Sequence, residues 1–427
     1  SENSSVKGLV INNFASQDAI KLLASNITIQ GNYIGTNPQG TLARPNGVGI
    51  NGMTTEPTPG INALIGGLNA ADRNLISGNT DGTTATAGYP ASGTIIQGNY
   101  VGVAADGLTP IANSTNGGSG SFSVDDASDV LIGGSQPTAI NVIGASLGHG
   151  LAPDRSIDVI IENNYIGLGY DGTTVLGSIS GGNGSGLSIS NMNGILVKNN
   201  RIAGWNTGGI SVNPGNDDVT VEGNLVHNNV GNISVFGSNN VTITDNIVYT
   251  SDSIANVSIS GFSAVGLATD MVSVTGNNIG YLLNGSAAPQ DDAMGIYVSG
   301  DPTQVILGGI QSGEGNRIIG QSLAGISISS LTVQAVGVTA TPYVTILGNT
   351  ITGSSVSVLE PNSGLGIDLA EGTDTDETPD GAPNTFNETG PTSNDANDTD
   401  IGPNNYMNFP VLNNFIQNGN QASVNLD

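Results

Sequence analysis

Short runs in which β-branched apolar residues alternate with polar ones recur along the whole chain, and most of them end at an asparagine. ITIQGNYI carries Asn32, TIIQGNYV Asn99, VIIENNYI Asn164 and ILVKNNRI Asn200. VTVEGNLV carries Asn224, VTITDNIV Asn246, VSVTGNNI Asn277 and VTILGNTI Asn349. A second class reaches the corner by another approach, in DRNLI (Asn74), AINVI (Asn141) and EGNRII (Asn316). Alternation over four to eight residues marks a short strand with one buried face. In the first run Ile27, Ile29 and Ile34 are expected to point inward, and Thr28 and Gln30 outward.

Successive corner asparagines are 42, 25, 42, 23, 36, 24, 22, 31, 39 and 33 residues apart. The shortest intervals give the bare period, and the longer ones contain insertions. A unit of two or three short strands cannot bury its apolar face alone, so it must stack on its neighbours. Further strand segments fill each unit: GVGING, GLSISN, GGISVN, NISVFG, GIYVSG and GISISS. The expected fold is an all-β parallel β-helix of about eleven or more coils with loop insertions. The corner Asn tolerates left-handed backbone, and its amide can bond a copy of itself one coil away. Asn200, Asn224 and Asn246 are therefore expected to stack. Two residues earlier, Glu162, Lys198 and Glu222 should share one outward face. The run QDAIKLLAS (Gln17 to Ser25) is the only helix-like stretch.

Three corners carry a tyrosine, Tyr33, Tyr100 and Tyr165, and each precedes a loop of similar length. Each loop has a turn signal, Gln39-Gly40, Asp106-Gly107 or Asp171-Gly172, followed by Leu42, Leu108 or Val175. These read as loops folded back over the tyrosines, the alternative being an aromatic stripe for stacking sugars.

Composition narrows the partners. The 427 residues include 64 Gly, 8 Lys+Arg and 35 Asp+Glu, a net charge of -27. Such a chain repels nucleic acid, anionic membranes and anionic polysaccharides at low salt. There is no cysteine, hence neither disulfide nor thiolate site. No run of eighteen apolar residues suggests a membrane span, and SENSSVKGLV is not a signal peptide. Asn-x-Ser/Thr sites occur at Asn26, Asn232, Asn240, Asn256 and Asn284. The outward positions Thr28, Ile95, Ile160, Leu196, Thr220, Thr242, Ser273 and Thr345 are too mixed for an ice-binding array.

A catalytic site is not apparent. The basic residues Lys7, Lys21, Arg44, Arg73, Arg155, Lys198, Arg201 and Arg317 are scattered, which argues against lyase chemistry on a polyanion. Asp217-Asp218 and Gly148-His149-Gly150 suggest the paired acids and His of a polygalacturonase. Their order is reversed and the other signature elements are missing. Asp125-Asp126 and Asp291-Asp292 read as solvated turns, His149 as a surface loop residue and His227 as outward-facing. Trp205 is the only tryptophan, few aromatics for a sugar site.

The densest polar run holds Asp368, Asp374, Asp376, Glu377, Asp380, Asp395, Asp398 and Asp400. Acids alternating with Gly, Asn and Thr suit calcium, which takes six to eight oxygens; the plain alternative is an acidic linker. These boundaries divide the chain into a β-helix over 1–360 and an acidic segment over 361–427.

The stretches GNYIGT, LIGGLNAADRNLISGN and GLGIDLAEG…NDANDTDIGPNNYMNFPVL resemble bacterial right-handed parallel β-helix repeat proteins of the cell surface. The resemblance covers most of the chain. It implies a right-handed helix, a secreted or surface location, and a segment of a longer extracellular polypeptide joined end to end to other chains or flanking domains. At NDANDTDIGPN it favours a structural calcium ion. It implies no single reaction. The expected role is a non-catalytic stalk, fibre or adhesion module. The alternative is a carbohydrate-active enzyme or a β-helix binding a neutral glycan.

Overall fold

The computed structural model describes residues 1–14, 17–52, 62–80, 93–113, 120–178, 184–289, 293–329 and 342–352, together with strands at 331–333, 338–340, 367–370, 412–418 and 421–426. Three parallel sheets form the walls of a solenoid. The first runs from Ser5–Lys7 through Thr28–Gln30 to Val344–Leu347 and has 12 strands. The second, also of 12, runs from Val10–Ile11 to Thr350–Thr352. The third has nine, from Gly120–Asp125 to Ile367–Ala370. Each strand pairs with its counterpart one coil away, so every sheet runs along the helix axis. The chain is a right-handed parallel β-helix.

Alternation explains the core. Ile27, Ile29 and Ile34 are buried, and the counterparts of Ile29, namely Ile65, Ile96, Ile132, Ile161, Val197, Val221 and Ile243, fill the same inner position coil after coil. Burying such a side chain stabilises by roughly 1.5–3 kcal/mol. A one-residue slip would turn a whole run out to solvent, so the pattern fixes the register. Trp205 is also in this core, its Nε1 donating to Ile166 O at 3.4 Å. It offers no platform for a sugar.

The corner asparagines form one unbroken column. In order Asn32, Asn74, Asn99, Asn141, Asn164, Asn200, Asn224, Asn246, Asn277, Asn316 and Asn349, each Nδ2 donates to the next Oδ1 at 2.8–3.0 Å. All but the last are buried. Left-handed backbone falls one residue before the corner Asn, not on it: Gly31 has φ 65°, Asn163 57°, Asn199 56° and Asp245 56°. The reason is geometric. The corner residue must aim its amide inward along the column, so its predecessor takes the bend. At two of the three corners of the second class, Asn74 and Asn141, a 3-10 turn, Ala70–Asp72 or Pro137–Ala139, makes the approach instead.

The helix-like run is a strand. Asp18–Lys21 pairs in parallel with Val48–Asn51, because coil pairing overrides local propensity. On the outer face of the first sheet, Leu64, Ile95, Leu131, Ile160 and Leu196 occupy one register position in five successive coils. The next positions are Thr220, Thr242 and Ser273. Among the described residues no helix is long and apolar enough to cross a membrane.

Candidate functional site

The acidic run expected to hold calcium falls almost wholly outside the described residues. Asp374, Asp376, Asp380, Asp395, Asp398 and Asp400 lie there, and Asp368 is in the strand Ile367–Ala370, with Asp368 opposite Ser327. Asp291 and Asp292 also lie outside the described residues. Among those described, no group of three His, Cys, Asp or Glu is placed to hold a metal ion.

Asp217 and Asp218 begin the strand Asp217–Glu222 and are exposed. Asp218 has φ 62° and accepts from Asn240 Nδ2 at 2.7 Å, the structural role of a bend residue. Asp125 departs from the solvated turn expected of it. It ends the strand Gly120–Asp125, half-buried, directly opposite Asp154 of the next coil. Burial first, and then the charge of Asp154, push its carboxyl up to about 6. Asp126 accepts two hydrogen bonds from Arg155, from Nε at 2.9 Å and Nη2 at 3.1 Å. Arg155 also meets Asp154, and Asn191 Nδ2 donates to Asp154 Oδ1 at 2.8 Å. Asp154 thus has hydrogen-bond partners of its own, whereas Asp125 is desolvated.

His149 is not in an exposed loop. It opens the strand His149–Asp154, is half-buried, and its Nδ1 accepts from the Ser185 backbone N–H at 2.9 Å. Burial holds its pKa below the ordinary imidazole value. GHGLAPDR reads as a loop because of its Gly and Pro residues; parallel pairing to Gly120–Asp125 makes it a strand.

The loops after Tyr33, Tyr100 and Tyr165 are small hairpins, closed by antiparallel bridges Thr36 to Ala43, Val103 to Pro110 and Leu168 to Val175. They fold over the tyrosines as expected. A Cβ on Gly107 would lie 2.8 Å from the Tyr100 ring, and one on Gly172 would lie 3.0 Å from Tyr165. Leu42 and Val175 do not complete the cover; both are exposed. Tyr100 is buried, whereas Tyr170 on the third hairpin is exposed. A shallow hollow of about 210 Å³ lies between Leu68, Pro137, Tyr100, Tyr165 and Tyr170.

Arginines gather on this second-sheet face. Arg73 lies over the Tyr100 ring at 4.1 Å, Arg201 over Tyr165 at 5.5 Å and Arg317 over Tyr281 at 4.4 Å. Among the described residues none of the three forms an ion pair; the pairs are those of Arg155 and Lys198.

The hairpin Leu168–Val175 and a shorter one bridged from Tyr281 to Ala287 stand on coils four rungs apart. The register from Tyr165 passes through Arg201, Leu225 and Ile247 to Asn278. The three coils between carry no hairpin at this corner; their Asn spacings are 24, 22 and 31, and the insertion in the last, bridged from Phe262 to Leu267, lies elsewhere in its coil. They form an open floor about 19 Å from wall to wall, at about 4.8 Å per strand. On it His227 and Tyr249 stack with centroids 4.8 Å apart and planes 4° from parallel. His227 faces outward as expected. Burial and then Arg201 lower its pKa to about 4, so the ring is neutral at physiological pH.

No protein-family model matches the chain. No curated protein matches it either. Solved structures do, at low identity. The periplasmic alginate epimerase AlgG is 10% identical, with a TM-score of 0.40 over 86% of this chain and 79% of that one. The Dettilon tailspike protein gp208 is 15% identical, TM-score 0.41, over 73% of this chain. This chain covers 58% of that tailspike. PfbA, a surface adhesin of Streptococcus pneumoniae, is 15% identical, TM-score 0.36, over 80% and 82% of the two chains. One is an epimerase, one a tailspike and one an adhesin, so the likeness concerns architecture and leaves chemistry open.

The open floor was missed from sequence because its residues lie in different coils. The signal was present: Ala203, His227 and Tyr249 each stand three residues after a corner Asn.

Proposed function

We propose that the chain is the rigid, non-catalytic rod of a secreted or surface-attached protein, presenting binding surfaces along its length. The observation that carries this reading is the asparagine column, continuous across every coil from Asn32 to Asn349. Networks of fully satisfied buried amides rigidify a fold. Twelve rungs at about 4.8 Å make a rod of roughly 55 Å. The surface location is supported by the resemblance of GNYIGT and the C-terminal acidic run to cell-surface β-helices. Flanking domains or further chains would join it end to end, and a structural calcium ion would fasten the acidic segment. The test is a panel of neutral and acidic glycans offered to the purified protein. Retention without new reducing or unsaturated ends supports a binding rod. Turnover of any member sinks the non-catalytic reading.

One observation favours a carbohydrate-active enzyme as the second reading. Asp125, raised to about 6, stands opposite Asp154. A carboxyl whose pKa is raised beside a second carboxyl group is the pattern of an acid and a base. If the panel yields products, Asp125→Asn and Asp154→Asn should each abolish them; products that survive both variants exclude this pair.

A further inference from the structure

The floor between the two hairpins combines four features. Arg201 is half-buried, held over Tyr165, with the tip of the hairpin at Gly172 beside its Nη1. It has no carboxylate partner among the described residues, in a chain with 35 Asp and Glu. Buried Nδ1 of His227 has no hydrogen-bond partner, and neither its Nε2 nor the Tyr249 hydroxyl bonds another described residue. Leu225 and Ile247 lie half-exposed in register between them. The acids on or beside these coils include Asp171, on the hairpin and tied to Thr173 and Thr174, and Asp245, at the corner before Asn246. None forms an ion pair with Arg201 among the described residues.

We infer that this floor binds a sugar residue bearing a carboxylate. The guanidinium of Arg201 supplies two parallel N–H donors, the geometry that recognises a carboxylate bidentately. His227, through Nε2, and the Tyr249 hydroxyl offer an acceptor and a donor to hydroxyl groups, Nδ1 being buried beneath the ring stack. Leu225 and Ile247 give a flat aliphatic surface for the C–H face of a pyranose ring. A neutral sugar would leave Arg201 unanswered. A purely apolar ligand would leave all three polar groups unanswered, at the cost attached to desolvated polar atoms. Fixed polar groups around an apolar floor are the usual composition of a small-molecule site. The inference holds whether the rod is adhesive or catalytic, because it concerns binding alone.

The test is calorimetric titration with a trisaccharide ending in glucuronic acid and with the same trisaccharide ending in glucose. At about 0.15 M salt the overall negative field is screened beyond about 8 Å. The acidic trisaccharide should bind at least about tenfold more tightly, a difference within reach of one charge-assisted pair. Arg201→Gln should bring the two within about twofold, and Arg201→Lys should keep part of the preference. Arg317→Gln, on the far side of the second hairpin, should change nothing. Melting curves check that each variant is folded. Equal affinities in the parent protein, binding of neither sugar, a preference that survives Arg201→Gln, or an equal loss in Arg317→Gln would each overturn the assignment.

Discussion

Lys198 Nζ lies 3.4 Å from Glu162 Oε1, one rung away, with Glu222 opposite on the other side. Three coils therefore share the register read from the alternation. The pair is partly exposed, and such contacts contribute only about 0.2–1 kcal/mol. Lys198→Glu would set three like charges in one column and should destabilise by about 1 kcal/mol, more at low salt than at high. Urea melts at two ionic strengths measure this; no salt dependence would mean the three side chains do not interact.

Asn224 sits mid-column. Its Nδ2 donates to Asn246 Oδ1 at 3.0 Å and to Val197 O at 2.9 Å, and its Oδ1 receives Asn200 Nδ2 at 3.0 Å. Asn224→Ala would strand several buried groups at about 1–3 kcal/mol each, so a loss of about 3–5 kcal/mol is expected. Asn224→Asp keeps the shape but turns a donor into an acceptor facing Asn246 Oδ1, and should be as damaging near neutral pH. Asn349, half-buried at the column's end, should lose less on replacement by alanine. Equal effects at the two positions would deny the column a cooperative role.

Asp125 gives a pH dependence with a definite sign. Its folded pKa, about 6, exceeds the ordinary 3.8, so the folded state holds the proton more tightly than the unfolded chain. The favourable contribution is complete below 3.8 and is lost as pH rises through about 6. Asp125→Asn should therefore raise stability at pH 7, by about 1–2 kcal/mol after discounting for solvent screening, and flatten the profile between about pH 4 and 6. A variant with an unchanged slope would assign that slope to other groups.

Calcium at the acidic run remains a proposal with a direct test. Chelator should lower the melting temperature and open the C-terminal segment first, read by hydrogen exchange. Asp398→Asn with Asp400→Asn should reproduce the loss without chelator. Identical melts with and without chelator would favour a plain acidic linker.

The helix was legible because each coil must solve the same packing problem with nearly the same residues: Ile29, Ile65 and Ile96 differ in neighbours but not in task. The corner Asn repeats for the same reason. What lay outside the repeat was harder to read. Asp125 and Asp154 meet through strands that carry no corner motif, one of them containing Pro153. Arg201, His227 and Tyr249 become one surface only because their coils lack the insertions found on either side. Such a surface is defined by what neighbouring coils omit, which alternation alone does not record.

The amide column has a direction. From Asn32 to Asn349 each side-chain carbonyl accepts from the lower-numbered side and one N–H of each amide donates to the next Asn, while the other N–H turns back to a main-chain carbonyl of the coil before. Paired strands contribute little net dipole, but these side-chain dipoles add head to tail. The column is thus electrically polar along the axis, its carbonyls facing the low-numbered end, where Asn32 Oδ1 accepts the Leu9 backbone N–H. A joint between two such rods that continues the column brings donor to acceptor in only one orientation. Any assembly built through it is a one-way filament, in which all units point alike.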